Sequence, residues 1–149
     1  MLEALRSLFD STPADSRSTA GSGRSPLQLA VAVLLHEARR ADYDVGAAET
    51  AAAERALADL FGLAPADCAA LLEEGRARAQ QLTSFFPPVS VIKREFSIED
   101  RIRVVEQLWR VSFADGKLDY YEDHYVRKIA RLLHVPNTQS MLARNRARS

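Results

Sequence analysis

The chain repeats itself. Leu35–Glu49 (LHEARRADYDVGAAE) aligns with Leu108–Glu122 (LWRVSFADGKLDYYE) at an offset of 73 residues. Leu35 pairs with Leu108, Ala41-Asp42 with Ala114-Asp115 and Glu49 with Glu122, and farther on Arg55 pairs with Lys128 and Leu60 with Leu133. Each unit reads as an apolar helix, a turn that opens on Ala-Asp, and an amphipathic helix with Glu in its first turn. One helical hairpin cannot bury its own apolar face, so two of them are expected to pack together about a pseudo-twofold axis. No segment alternates at period two for long enough to form a core strand. The expectation is an all-α fold, a compact bundle of about seven helices.

Composition narrows the class further. A length of 149 residues suits one domain plus a short tail. Twenty Lys and Arg balance twenty Asp and Glu. That balance excludes a generally basic nucleic-acid wrapper and a generally acidic buffering protein, while leaving room for local patches. The single cysteine, Cys68, excludes an internal disulfide and any CxxC pair. The longest apolar run, Leu29–Leu35, is far short of the ~20 residues of a membrane span. Met1–Asp10 is too short and too charged for a signal peptide, so the expected location is the cytoplasm.

Along the chain, residues 1–10 form a short amphipathic helix with Leu2, Leu5, Leu8 and Phe9 on one face. Residues 11–26 are rich in Ser, Gly and Pro and read as a flexible linker, so that helix is tethered. Residues 27–149 form the domain. The spacing predicts helices over about Leu27–Ala41, Ala48–Phe61, Pro65–Thr83, Ser90–Phe96, Ile98–Ala114 and Asp119–Leu133, with a last one opening at Asn137 or Thr138. Gly62 is the expected left-handed terminator of the second, and Ser97-x-x-Asp100 is a variant capping box opening the fifth. Trp109 shares a stripe with Ile102, Val105 and Leu108 and is expected in the core.

The turns carry the chemistry. Asp115, Asp119, Glu122 and Asp123 place four carboxylates within nine residues. The first turn offers Asp42, Asp44 and Glu49, with Glu37 one helical turn earlier. Hard divalent cations require several oxygen ligands, and a turn between helices can converge them. Capping explains part of this pattern without metal: Asp119 suits an N-cap, Glu122 and Glu49 suit first turns, and Gly116 suits a left-handed helix end. Asp42 and Asp115 are different. They stand near the negative C-terminal ends of helices, where an unpartnered acid is unfavourable by up to ~1 kcal/mol. The spacing does not match an EF-hand, which needs a twelve-residue loop with Gly at its sixth position.

The two-fold Ala-Asp…Glu arrangement resembles the tellurite-resistance TerB family and its wider TerB-like group. Trp109–His124 (WRVSFADGKLDYYEDH) looks especially like the signature of that group. The resemblance covers about Leu27–Ala143. It implies an all-helical fold of about seven helices in two related halves, a non-enzymatic role in bacterial stress response, and an acidic surface that binds a divalent cation (Ca, Mg, Mn or Zn) or partner proteins. Those partners include membrane-associated ones, with a peripheral place at the inner membrane and no nucleic acid. The family's acidic positions fall on Asp42 and Glu49, and on Asp115, Asp119 and Glu122. In the first half Tyr43 stands where family members often have Gly, and Gly46 where they often have a second Asp. Asp44 is the candidate replacement. The alternative reading is a metal-independent interaction or co-chaperone-like domain whose acids serve as caps.

The remaining candidates read more plainly. His36, His124 and His134 lie on different helices without an i, i+4 partner and are expected at surface or half-buried positions, His124 beside the acidic turn as an accessory ligand at most. Cys68 is expected to be a small buried residue. No nucleophile with its base is legible, which argues against a hydrolase. Residues 124–149 contain Arg127, Lys128, Arg131, Arg144, Arg146 and Arg148 and no acid, whereas Glu37–Glu74 holds nine acids against three arginines. The basic end is expected to be a frayed, solvated helix, with binding of phosphate groups or anionic lipid as the alternative.

Overall fold

The computed structural model describes residues 25–39, 46–114, 116 and 120–148. The N-terminal helix of residues 1–10 and nearly all of the 11–26 linker lie outside these residues. Among the described residues the chain is all-α, with helices α1 (Pro26–Arg39), α2 (Ala47–Phe61), α3 (Pro65–Ala79), α4 (Phe86–Glu95), α5 (Ile98–Ser112), α6 (Tyr120–Leu132) and α7 (Asn137–Arg148).

The repeat extends beyond a helical hairpin. α1, α2 and α3 begin at Pro26, Ala47 and Pro65, and α5, α6 and α7 begin 72 or 73 residues later at Ile98, Tyr120 and Asn137. Each half is therefore a three-helix unit, with α4 between the two. In both halves the first helix packs most extensively on the third, α1 on α3 and α5 on α7. α1 is the central element and also contacts α2, α4, α5 and α6. Its buried run Ala30–Leu35 has no polar stripe, as befits a helix covered on all sides. Val104, Val105, Leu108, Trp109 and Val111 of α5 join it in one core with Leu57, Leu71, Ile92 and Ile129. Trp109 is buried, and its indole N–H donates to Ser140 Oγ of α7 at 3.4 Å.

Helix ends follow local chemistry. Ser25 Oγ accepts from the Gln28 N–H at 3.0 Å and Pro26 opens α1, so the last two residues assigned to the linker belong to the helix start. Gly62 adopts φ +68°, as a left-handed helix end does, whereas Gly116, at φ +87°, lies beyond the end of α5, which closes on Phe113 in the right-handed region. Ser97 caps α5 by accepting from the Asp100 N–H at 3.2 Å. α4 starts at Phe86, before the expected Ser90, because Phe86-Pro87-Pro88 forms its first turn, where a missing proline N–H leaves no helical bond unmade. α3 ends at Ala79 rather than Thr83, because Gln81 and Leu82 turn back to the carbonyls three residues before them.

Gly75 marks the tightest crossing. A Cβ at this position would lie 2.8 Å from the main-chain carbon and the Cβ of Ala32, so α1 and α3 touch backbone to backbone there.

Candidate acidic-turn site

Both acidic turns join the first helix of a half to its second. Of the six proposed ligands, Asp42, Asp44, Asp115 and Asp119 lie outside the described residues. Glu49 and Glu122 lie within them, each as the third residue of its helix, α2 and α6. Both are almost wholly buried, at 1 % exposure. Two carboxylates are thus held inside the protein at equivalent places, each near the positive N-terminal end of a helix that favours its charge.

Glu49 Oε1 accepts from the Gly46 N–H at 2.9 Å. This is half of a capping box, since glycine has no side chain to complete it. Glu49 Oε2 is buried without a hydrogen-bond donor. The capping role read from sequence is real at Glu49, and it occupies one oxygen of the two.

The first half also contains a cation that the sequence reading did not single out. Arg39, at the end of α1, is buried, donates to Thr50 Oγ1 of α2 at 2.9 Å, and lies 3.1 Å from His36 Nδ1. Burial lowers its pKa, as does Arg76, while the neighbouring carboxylates of Glu73, Glu54 and Glu49 raise it. His36 is therefore buried as part of a polar cluster, not at a half-exposed position. The residue equivalent to Arg39 at the 73-residue offset is Ser112, also buried, whose Oγ has no hydrogen-bond partner. The sequence signal was available: a charged residue on the apolar stripe of Leu35 whose repeat mate is small.

Around the second turn the other acids divide into different roles. Asp123 accepts from Arg127 Nε at 2.7 Å and lies 3.7 Å from Arg144 Nε, so it is committed to ion pairs. His124 is exposed and stacks on Tyr120 with ring centroids 6.1 Å apart. Tyr120 and Tyr121 point into solvent with 74 % and 68 % exposure, on the same first turn from which Glu122 points inward. Two adjacent exposed tyrosines are the kind of surface that protein interfaces favour. Behind them, Tyr125 donates its hydroxyl to the Leu34 carbonyl at 2.7 Å. Burial, and then the Glu37 carboxylate, raise the pKa of that hydroxyl and keep it a donor.

The basic end is not a frayed helix. α7 is regular to Arg148, and two of its arginines reach back onto acids of the bundle. Arg146 pairs with Glu106 at 2.6 Å, and Arg144 with Asp123 while lying over the Trp109 and Phe113 rings. Arg127, Arg144 and Arg146, among the cations that looked available to phosphate in the sequence, are paired internally. Among the described residues no three His, Cys, Asp or Glu side chains converge on one point. No helix of these residues is long and apolar enough to cross a membrane.

The family model described as tellurite resistance protein TerB matches residues 28–145, from the first turn of α1 into α7. The chain belongs to the TerB family. The match spans both acidic turns and all seven helices, so the TerB domain is the whole described fold apart from its edges, a module of the tellurite-resistance group. No curated protein matches the chain. No solved structure matches it.

Proposed function

We propose that this TerB domain is a non-enzymatic module of bacterial stress response that binds a divalent cation at its acidic turns, chiefly the second, and engages partner proteins on the same end. The observation that carries this reading is the burial of Glu49 and Glu122 at equivalent third positions of α2 and α6. Keeping a carboxylate out of water is unfavourable unless hydrogen bonds or a positive charge compensate it. In the first half Arg39 is one of the charges near Glu49. In the second half a cation held by Glu122 together with Asp115 and Asp119 adds positive charge beside the buried carboxylate. Ca²⁺ fits the all-oxygen donor set, and Mg²⁺ or Mn²⁺ competes for it.

Calorimetric titration of the chain with Ca²⁺, Mn²⁺ and Zn²⁺ tests this. Binding is expected for the wild-type chain and is lost in Asp115→Asn and Asp119→Asn, while Asp44→Asn has a smaller effect. Absence of heat at millimolar metal overturns the cation assignment.

The Gly46–Glu49 hydrogen bond favours a second reading, in which the acids act as caps and the tyrosine-bearing end binds protein without metal. A melting temperature unmoved by chelator, together with a partner captured by the wild-type chain and lost in Tyr120→Ala/Tyr121→Ala, supports it.

A further inference from the structure

On the side of the bundle formed by α1 and α4, an apolar groove of about 520 Å³ opens to solvent. Leu29 and Val33 of α1 form one wall and Phe86 and Val91 of α4 the other, with Leu82 between. Phe86 is 70 % exposed, a phenyl ring left in water beside an apolar trough. Arg78 and Arg94 are the charges on its rim. Arg94 lies 3.5 Å from Glu95, and Arg78 meets no carboxylate among the described residues. The groove also takes in Pro26, the first residue of α1, so the chain enters the fold at the wall of the groove itself.

We propose that the groove is the docking site for the chain's own N-terminal segment, Met1–Asp10, bound as an amphipathic helix. Two observations converge on this occupant. The segment carries a compact apolar face of Leu2, Leu5, Leu8 and Phe9, which matches a groove lined mainly by apolar side chains. Finally, the tether starts where the groove is. A Ser-, Gly- and Pro-rich stretch over residues 11–25 has a root-mean-square span of roughly 20 Å. It delivers a ten-residue helix about 15 Å long to a wall that begins at Pro26. Such a tether sets an effective concentration on the order of millimolar, which makes a modest apolar contact sufficient for occupancy.

Nuclear Overhauser spectroscopy on the full chain with labelled Leu and Val methyls tests the assignment. Cross-peaks from Leu5 and Leu8 to Leu29, Val33 and Val91 are expected within one chain. They are lost in Leu5→Asp/Leu8→Asp, which alters only residues outside the described helices, and the groove methyls shift at the same time. Phe86→Ser, a change at an exposed position, weakens the same cross-peaks while core methyls stay in place. Cross-peaks that appear only between differently labelled chains in a mixed sample put a second copy in the groove and overturn the proposal. Groove methyls that do not respond to Leu5→Asp/Leu8→Asp overturn it as well and leave the face to a separate partner.

Discussion

Arg39 and Ser112 occupy the same position of equivalent helices, 73 residues apart, and both are buried, yet only one carries a charge. The two halves start their helices at a common spacing and differ in how they treat the glutamate that follows. In the first, the guanidinium ties the end of α1 to Thr50 of α2 and contributes positive charge to Glu49. In the second, that contribution is absent from the equivalent helix position.

Arg39→Met is therefore expected to destabilise the fold by about 2 kcal/mol, the typical value of hydrogen bonds made by a charged group. Methionine fills much of the space of the alkyl stem and leaves Thr50 and Glu49 without the guanidinium. Urea denaturation measures the loss as a lower midpoint at unchanged slope. A midpoint equal to wild type would show that the arginine contributes nothing to holding α1 on α2.

His134→Gly is expected to act in the opposite direction. His134 ends α6 at φ +58°, the left-handed region, just as Gly62 ends α2 at φ +68°. The Val135 N–H reaches back to the Ala130 carbonyl at 2.9 Å, the bond that closes such an end. A side chain in this conformation costs roughly 1 kcal/mol, and glycine removes that cost while adding some freedom to the unfolded chain. A net gain of about 0.5 kcal/mol, read as a raised thermal midpoint, is the expected result. Unchanged or reduced stability would contradict the backbone assignment.

Glu106 gives the bundle a specific acid sensitivity. Burial raises the pKa of its carboxyl, but hydrogen bonds from Arg110 and Arg146 outweigh that and hold it below the usual carboxylate range. A depressed folded pKa means that the ionised form is favoured by folding. Its contribution is present in full above the unfolded value, about 4.3, and is lost as pH falls through the folded one. Both arginines are partly exposed, so the contribution is at most about 1 kcal/mol. The stability difference between wild type and Glu106→Gln is expected at pH 6 and to shrink as the pH falls below about 4. A difference that stays constant throughout acid titration would exclude ionisation as its source.

Much of the fold was legible in the sequence because helices declare themselves by spacing. Leu35 and Leu108, Gly62 and the Ser97 cap stand where periodicity and turn chemistry put them. The boundary at Phe86 was not, since two prolines read as a helix break, whereas a first turn, whose N–H groups make no helical bond, tolerates them. The fate of Arg144 and Arg146 was also hidden. A cation run is solvated or paired depending on whether a distant carboxylate, here Asp123 or Glu106, lies across the interface. At the candidate site, the spacing identified Glu49 and Glu122 as a matched pair. It could not tell a surface cap from a buried carboxylate, because both occupy the third helical position.

The contact of Gly75 with Ala32 sets a limit on how this core can change. With backbone already touching backbone, the seam between α1 and α3 has no slack. A larger side chain at Gly75 or Ala32 has nowhere to go at this crossing and forces the two helices apart. The α1–α3 seam thus acts as a fixed hinge line of the bundle, where the choice of residue is decided by backbone distance rather than by hydrophobicity.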